Sequence, residues 1–145
     1  DACRHFEILG YSIIIITNQS GIGRGYYSEN DYQVLTKWML SKFNKQNIEI
    51  LDIFYCPHSP NNQCDCRKPK IGLFTQAKKD LNIVLEKSWV VGDSTRDICA
   101  AQNLGMKSIL VQTGFAGRDK AFKVSPDFVA KDLLEAITLI LKEIK

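Results

Sequence analysis

The sequence carries little net charge: 19 Lys and Arg face 16 Asp and Glu, a formal +3 over 145 residues. That is too small an imbalance to point to nucleic acid or an anionic membrane as a partner, although it suits a small anionic substrate. Long apolar runs are missing as well. Ile13–Ile16 falls far short of the roughly 20 residues that a bilayer span requires. No secretory leader opens the sequence, so a cytoplasmic protein with no membrane partner is expected. Gly21–Gly25 lacks the Gly-x-Gly-x-x-Gly spacing of a pyrophosphate loop. No two aspartates stand at i,i+2 after a strand-like run. Repeats, low-complexity tracts and a linker are also wanting, which predicts one domain over residues 1–145 and a monomer.

What remains is an ordinary globular composition, 45% hydrophobic and 24% charged. The hydrophobic period changes repeatedly along it. Ser12–Thr17 is a short β-branched run and reads as a buried parallel strand, followed by the Gly-rich turn Asn18–Gly25. Ser28 with Asp31 forms a capping-box signal for a helix, in which Val34, Leu35, Trp38, Met39 and Phe43 are expected to face the core. Ile50–Tyr55 is a second strand, and a helix should run from Leu73 to about Leu85. Trp89–Val91 gives a third strand, and a helix through Ala100 and Ala101 should stop at Gly105. Ser108–Val111 is a fourth strand, Phe128–Val129 a short extended piece, and a last helix spans about Leu133–Ile144. Strands separated by helices predict an α/β fold, a parallel sheet with helices on both faces. Asp1–Gly10 reads as the end of a helix entering the first strand, whereas such a fold opens on a strand. An upstream segment is therefore expected.

In parallel α/β sheets ligands gather beyond the carboxyl ends of the strands. Here those ends carry Thr17-Asn18, Gly92-Asp93 with Asp97 four residues on, and, after the second strand and its loop, Arg67-Lys68. Each has a structural explanation: a last β-branched residue, a solvated cation pair, an N-cap with a first-turn acid. Together they offer hydroxyl and amide donors, two cations and two carboxylates, a set suited to a phosphate and a hard divalent cation.

Between the second strand and Arg67, Cys56-Pro-His58 and Cys64-Asp-Cys66 place three thiols and an imidazole within eleven residues. That density suits a tetrahedral Cys3His zinc site better than free thiols or disulfides in a reducing compartment. All four positions being filled by protein, the zinc would be structural. Its work would be to order residues 56–66 and so deliver Arg67 and Lys68. Without basic or aromatic-rich surroundings, the loop does not read as a nucleic-acid module.

A strand ending in Thr17-Asn18, then Lys68, then a strand ending in Gly92-Asp93 with Asp97 following, resembles the haloacid-dehalogenase-like phosphatases. The resemblance implies a Rossmann-like three-layer fold and a magnesium-dependent aspartyl-phosphate mechanism. Thr17 would bind the transferring phosphoryl group, Lys68 would offset its charge, Asp93 would hold magnesium and Asp97 would orient that shell. The family's opening Asp-x-Asp, nucleophile and general acid on the central strand, is nowhere in this chain. The expectation is an N-terminally truncated domain that exposes an apolar slot and, as it stands, does not turn over substrate.

Cys56-Pro-His58 followed by Cys64-x-Cys66-Arg67-Lys68-Pro69 resembles two sister groups, the D-glycero-D-manno-heptose 1,7-bisphosphate 7-phosphatases and the histidinol-phosphate phosphatases. Thr17–Tyr32 (TNQSGIGRGYYSENDY) and Val91–Gly114 (VGDSTRDICAAQNLGMKSILVQTG) look like the heptose group. That implies removal of the C7 phosphate of a heptose bisphosphate during synthesis of activated heptose, a lipopolysaccharide precursor. Arg67 would take the distal, non-reacting phosphate or the sugar, and Asn18, Gln19 and Ser20 the sugar. The alternatives are histidinol-phosphate hydrolysis and a non-catalytic, zinc-stabilised domain that binds phosphate through Thr17, Lys68 and the helix start after Asp93.

Overall fold

The computed structural model describes residues 1–144. The chain divides after Arg67 into two compact units, Cys3–Arg67 and Lys68 onward. In the first, a short helix α1 (Ala2–Ile8) leads into strand β1 (Ile13–Asn18). The Gly-rich turn contains one helical turn that its glycines concealed in the sequence, α2 (Ser20–Gly23). Helix α3 (Glu29–Asn44) starts at the expected capping box. Ser28 Oγ accepts from the Asp31 N–H, and the Asp31 carboxylate accepts from the Ser28 N–H. Such a cap is worth about 1 kcal/mol. Strand β2 (Ile50–Cys56) lies parallel to β1, with Thr17 opposite Tyr55 and Asn18 opposite Cys56.

One expectation for α3 is corrected. Val34, Leu35 and Trp38 are 60%, 62% and 58% exposed. The helix turns Tyr32 inward instead, and its ring packs tilted at 45° against that of Tyr55, with centroids 4.5 Å apart. A helical period fixes which residues share a face, but not which of two apolar faces a small sheet covers. Of the hydrophobic side chains in this unit, just Tyr32, Ile48, Phe54 and Cys56 are buried among the described residues. So small a core favours a further tie to hold the unit together.

The second unit opens with α4 (Gly72–Leu81), which buries Leu73, Phe74 and Ala77. It ends earlier than expected because Asn82 adopts a left-handed conformation (φ 51), a common helix stop. Leu85 falls in the 3-10 turn that follows. Strand β3 (Trp89–Gly92), helix α5 (Thr95–Asn103), strand β4 (Lys107–Val111), strand β5 (Phe128–Ala130) and helix α6 (Leu133–Glu143) complete it. The sheet is parallel in the order β3-β4-β5. Helix α5 packs on β3 and β4, and α6 on β4 and β5. Ile98, Ile109, Ile137 and Ile140 are almost wholly buried, each contributing about 1.5–3 kcal/mol over an exposed position.

The parallel strands are therefore shared between two sheets, β1-β2 and β3-β4-β5. Within its own sheet β1 pairs with β2 alone and β3 with β4 alone, and every residue of both is half-buried. Each sheet thus keeps one apolar edge strand.

Candidate active site

In the first unit the site residues hang from the end of β1. Gln19 Nε2 donates to Thr17 Oγ1 at 3.0 Å, and the Tyr27 hydroxyl donates to Gln19 Oε1 at 2.6 Å. With an amide proton directed at its oxygen, the Thr17 hydroxyl is free to send its own proton to a phosphate oxygen. Tyr27 lies close against Gly21, where a Cβ would come within 2.1 Å of the ring. Tyr27 was absent from the sequence expectation, since an aromatic six residues beyond the strand end carries no signal of its own.

The same turn is fastened to the Cys/His loop by backbone bonds. The Gln19 N–H donates to the Cys56 carbonyl and the Gly23 N–H to the Pro57 carbonyl, both at 2.8 Å. A Cβ on Gly23 would meet the Ser59 nitrogen at 2.5 Å, so the two segments approach as closely as glycine permits. The loop therefore braces the turn that follows β1, beyond its expected task of delivering Arg67.

Cys56, His58, Cys64 and Cys66 converge, their ligand atoms all within 4.8 Å of one another. Cys56 Sγ is 3.8 Å from Cys64 Sγ and 3.5 Å from His58 Nδ1, close to the roughly 3.5–3.8 Å edges of a tetrahedron of zinc ligands. Cys66 Sγ is nearer, 3.0 Å from Cys56 and 3.1 Å from His58, as a hydrogen-bonded thiol would be. None of the five cysteines is in a disulfide. Burial, together with hydrogen bonds to the thiols of Cys56 and Cys64, pushes the Cys66 thiol up to about 12. For Cys64 burial acts upward, but the backbone N–H of Arg67 and the bonds from Cys66 and Cys56 outweigh it and lower the thiol. Crowded thiols resist shared ionisation, which is the strain a divalent cation relieves. Donor set and spacing both fit zinc. Beside the cluster, Arg67 has a buried Nη1 with no hydrogen-bond partner among the described residues, a vacant donor suited to an incoming oxyanion.

In the second unit Lys68 Nζ meets Asp97 Oδ1 at 2.6 Å, with both side chains nearly buried. Asp97 also closes a capping box, its Oδ2 accepting from the Ser94 N–H at 3.2 Å. Gly92 makes room for it, since a Cβ there would strike Asp97 at 2.5 Å. Asp97 thus acts directly on Lys68. Asp93 follows β3 directly, and its Oδ2 accepts from the Phe115 N–H at 2.7 Å, which fixes the carboxylate. Asp119, unremarked in the sequence, binds Ser94 Oγ, the Thr95 N–H, Thr95 Oγ1 and Arg96. Burial alone would raise its pKa, but the Thr95 and Ser94 hydrogen bonds and the Arg96 charge overcome this and hold it below the usual carboxylate range. A loop carboxylate with distant partners leaves no local pattern to read.

A family model described as HAD-hydrolase-like matches residues 65–136. The D-glycero-beta-D-manno-heptose-1,7-bisphosphate 7-phosphatase of Haemophilus ducreyi is 42% identical over 96% of this chain and 80% of its own length. This chain belongs to the heptose-1,7-bisphosphate 7-phosphatase family. Another member of the 7-phosphatase family, the alpha-anomer enzyme of Photorhabdus laumondii, is 47% identical over 73% of this chain and 62% of its own. Among solved structures, the D,D-heptose 1,7-bisphosphate phosphatase of B. bronchiseptica complexed with magnesium and phosphate matches with a TM-score of 0.88 and 28% identity. It aligns with 98% of this chain and 80% of its own. The fold also matches the Burkholderia thailandensis heptose phosphatase, with a TM-score of 0.70 and 24% identity. The 7-phosphatase relatives thus agree with the parallel α/β architecture. Among the described residues no helix is long and apolar enough to cross a membrane.

Proposed function

We propose that this protein is a magnesium-dependent phosphomonoesterase that removes the C7 phosphate of a D-glycero-D-manno-heptose 1,7-bisphosphate. The observation that carries this reading is the 42% identity with the Haemophilus ducreyi 7-phosphatase across almost the whole chain. The reaction exchanges the sugar–phosphate ester for water, giving inorganic phosphate and a free C7 hydroxyl.

The roles follow from chemistry in each unit. Thr17, with its oxygen already accepting from Gln19, donates its proton to a phosphoryl oxygen. Arg67 offers the unpartnered Nη1 to the phosphate that does not react. Asn18 and Ser20 lie in the same turn as candidates for sugar hydroxyls, whereas Gln19 is committed to Thr17 and Tyr27. Lys68 balances negative charge, held in place by Asp97. Asp93 presents its carboxylate to magnesium, which when bound would neutralise developing charge on the phosphoryl oxygens. The Cys56, His58, Cys64 and Cys66 cluster holds zinc as a structural tie. An Asp-x-Asp that would provide nucleophile and general acid does not occur in these 145 residues.

The test is phosphate release by the full-length gene product from heptose 1,7-bisphosphate and from histidinol phosphate, with and without magnesium. Magnesium-dependent release favouring the heptose substrate is expected. Preference for histidinol phosphate would move the protein to the sister group, and phosphate binding without release would leave a binding domain. The reading frame upstream of Asp1 should encode a strand ending in Asp-x-Asp.

A further inference from the structure

We propose that Asp119 is a positioning residue for Asp93, acting through the loop Gly114–Phe122, and that it thereby sets the affinity of the site for a divalent cation. The inference rests on Asp93 as cation ligand. Asp119 does not touch that carboxylate itself.

The loop has two ends of contact. At one, the Phe115 N–H donates to Asp93 Oδ2 at 2.7 Å and the Gly117 N–H to the Asp93 carbonyl at 2.8 Å. Gly114 (φ +60) makes this possible, because a Cβ there would lie 2.1 Å from Asp93 Oδ2. At the other, Asp119 clamps the loop to the start of α5. Its carboxylate accepts from Ser94 Oγ (2.9 Å), the Thr95 N–H (2.9 Å), Thr95 Oγ1 (2.7 Å) and Arg96 Nη1 (3.2 Å). Thr95 Oγ1 in turn accepts from the Ala121 and Phe122 N–H groups, both at 3.2 Å. The side chain of Asp119 is 6% exposed.

Between these ends the backbone is held where chains rarely rest. Ala116 (φ 53) and Lys120 (φ 42) take left-handed conformations without being glycine, which persist only if surrounding bonds enforce them. Released from Asp119, the loop relaxes and the Phe115 N–H leaves Asp93. The carboxylate then has to be ordered at the moment a cation binds, which weakens binding.

A purely structural role is separable, because the same unit contains a control. Asp127 ties the backbone of β4 in a similar way, accepting from the Ser108 N–H and Oγ at 2.8 Å each, and among the described residues it has no hydrogen bond to Asp93 or its loop. Full-length wild type, Asp119→Ala, Asp119→Asn and Asp127→Asn are to be titrated with Mg2+ by calorimetry and with Mn2+ by electron paramagnetic resonance, beside thermal melts. Cation affinity should fall about tenfold in both Asp119 variants. It should stay within about twofold in Asp127→Asn even where the melting temperature drops. Should Asp119→Ala fail to fold, the isosteric Asp119→Asn decides. Unchanged affinity in a folded Asp119 variant, or equal losses at Asp119 and Asp127, overturns the proposal. No cation binding by the wild type removes Asp93 as a ligand, and the inference with it.

Discussion

The 2.6 Å contact between Lys68 and Asp97 joins two side chains only 13% and 11% exposed, so Lys68 cannot be removed without consequence for its partner. Lys68→Ala leaves a nearly buried carboxylate without its cation and should destabilise the full-length protein by about 3 kcal/mol, while also abolishing most turnover. Adding Asp97→Asn should recover part of the stability and none of the activity. Denaturant unfolding with phosphate-release assays separates the two effects, and an unchanged unfolding midpoint in Lys68→Ala would show that the pair contributes no stability. Asp119 makes a pH-dependent contribution of definite sign. Its folded pKa lies below the ordinary carboxylate value of about 3.9. Its stabilisation is therefore complete above that value and is lost as pH falls through the lower, folded one. Asp119→Asn should melt at a lower temperature near neutrality. Its melting temperature should fall less steeply below about pH 4 than that of the wild type. Parallel curves across that window would assign the acid sensitivity to other carboxylates.

At the level of elements, the Cys/His loop bears the load in the first unit, whose buried hydrophobic core is small. Cys64→Ser removes one of the four proposed zinc ligands, so it should release zinc and lower the melting temperature, with activity lost as a result. Elemental analysis and calorimetry check this, and a variant that keeps its zinc and its melting point would refute the structural assignment. Because the Cys66 thiol is raised to about 12 before a cation arrives, zinc uptake must expel protons. A lightly buffered solution should acidify on zinc addition, and affinity should weaken as pH falls. Reading elements from sequence succeeded where a local rule was decisive. Ser28 and Asp31 announced α3, and the β-branched run announced β1. Helix α2 stayed hidden because Gly21 and Gly23 disfavour a helix in isolation, and neighbours supplied what propensity did not. The inward face of α3 was misread, because periodicity groups Val34, Leu35 and Trp38 on one face but does not say that Tyr32 turns in against Tyr55 of β2 instead.

For the molecule as a whole, the alternation of parallel strands with helices and the convergence of Cys56, His58, Cys64 and Cys66 were legible, since both rest on spacing. The relay from Tyr27 to Thr17 and the clamp at Asp119 were not, because each joins residues with no mutual signature in the chain. The two apolar edge strands, β1 and β3, lead to a prediction about solubility. Unpaired strand edges invite pairing with another chain. These 145 residues expressed alone should therefore scatter light in a concentration-dependent manner, and Ile15→Lys should reduce it. A clear, monodisperse solution at high concentration would mean the edges are protected. The hydrogen bonds from Gln19 and Gly23 to the carbonyls of Cys56 and Pro57 have a further outcome in a living cell. On the proposed zinc and phosphate roles, substrate capture and metal supply become one variable, so a cell short of zinc would make the polypeptide in full and yet harvest fewer working enzymes from it.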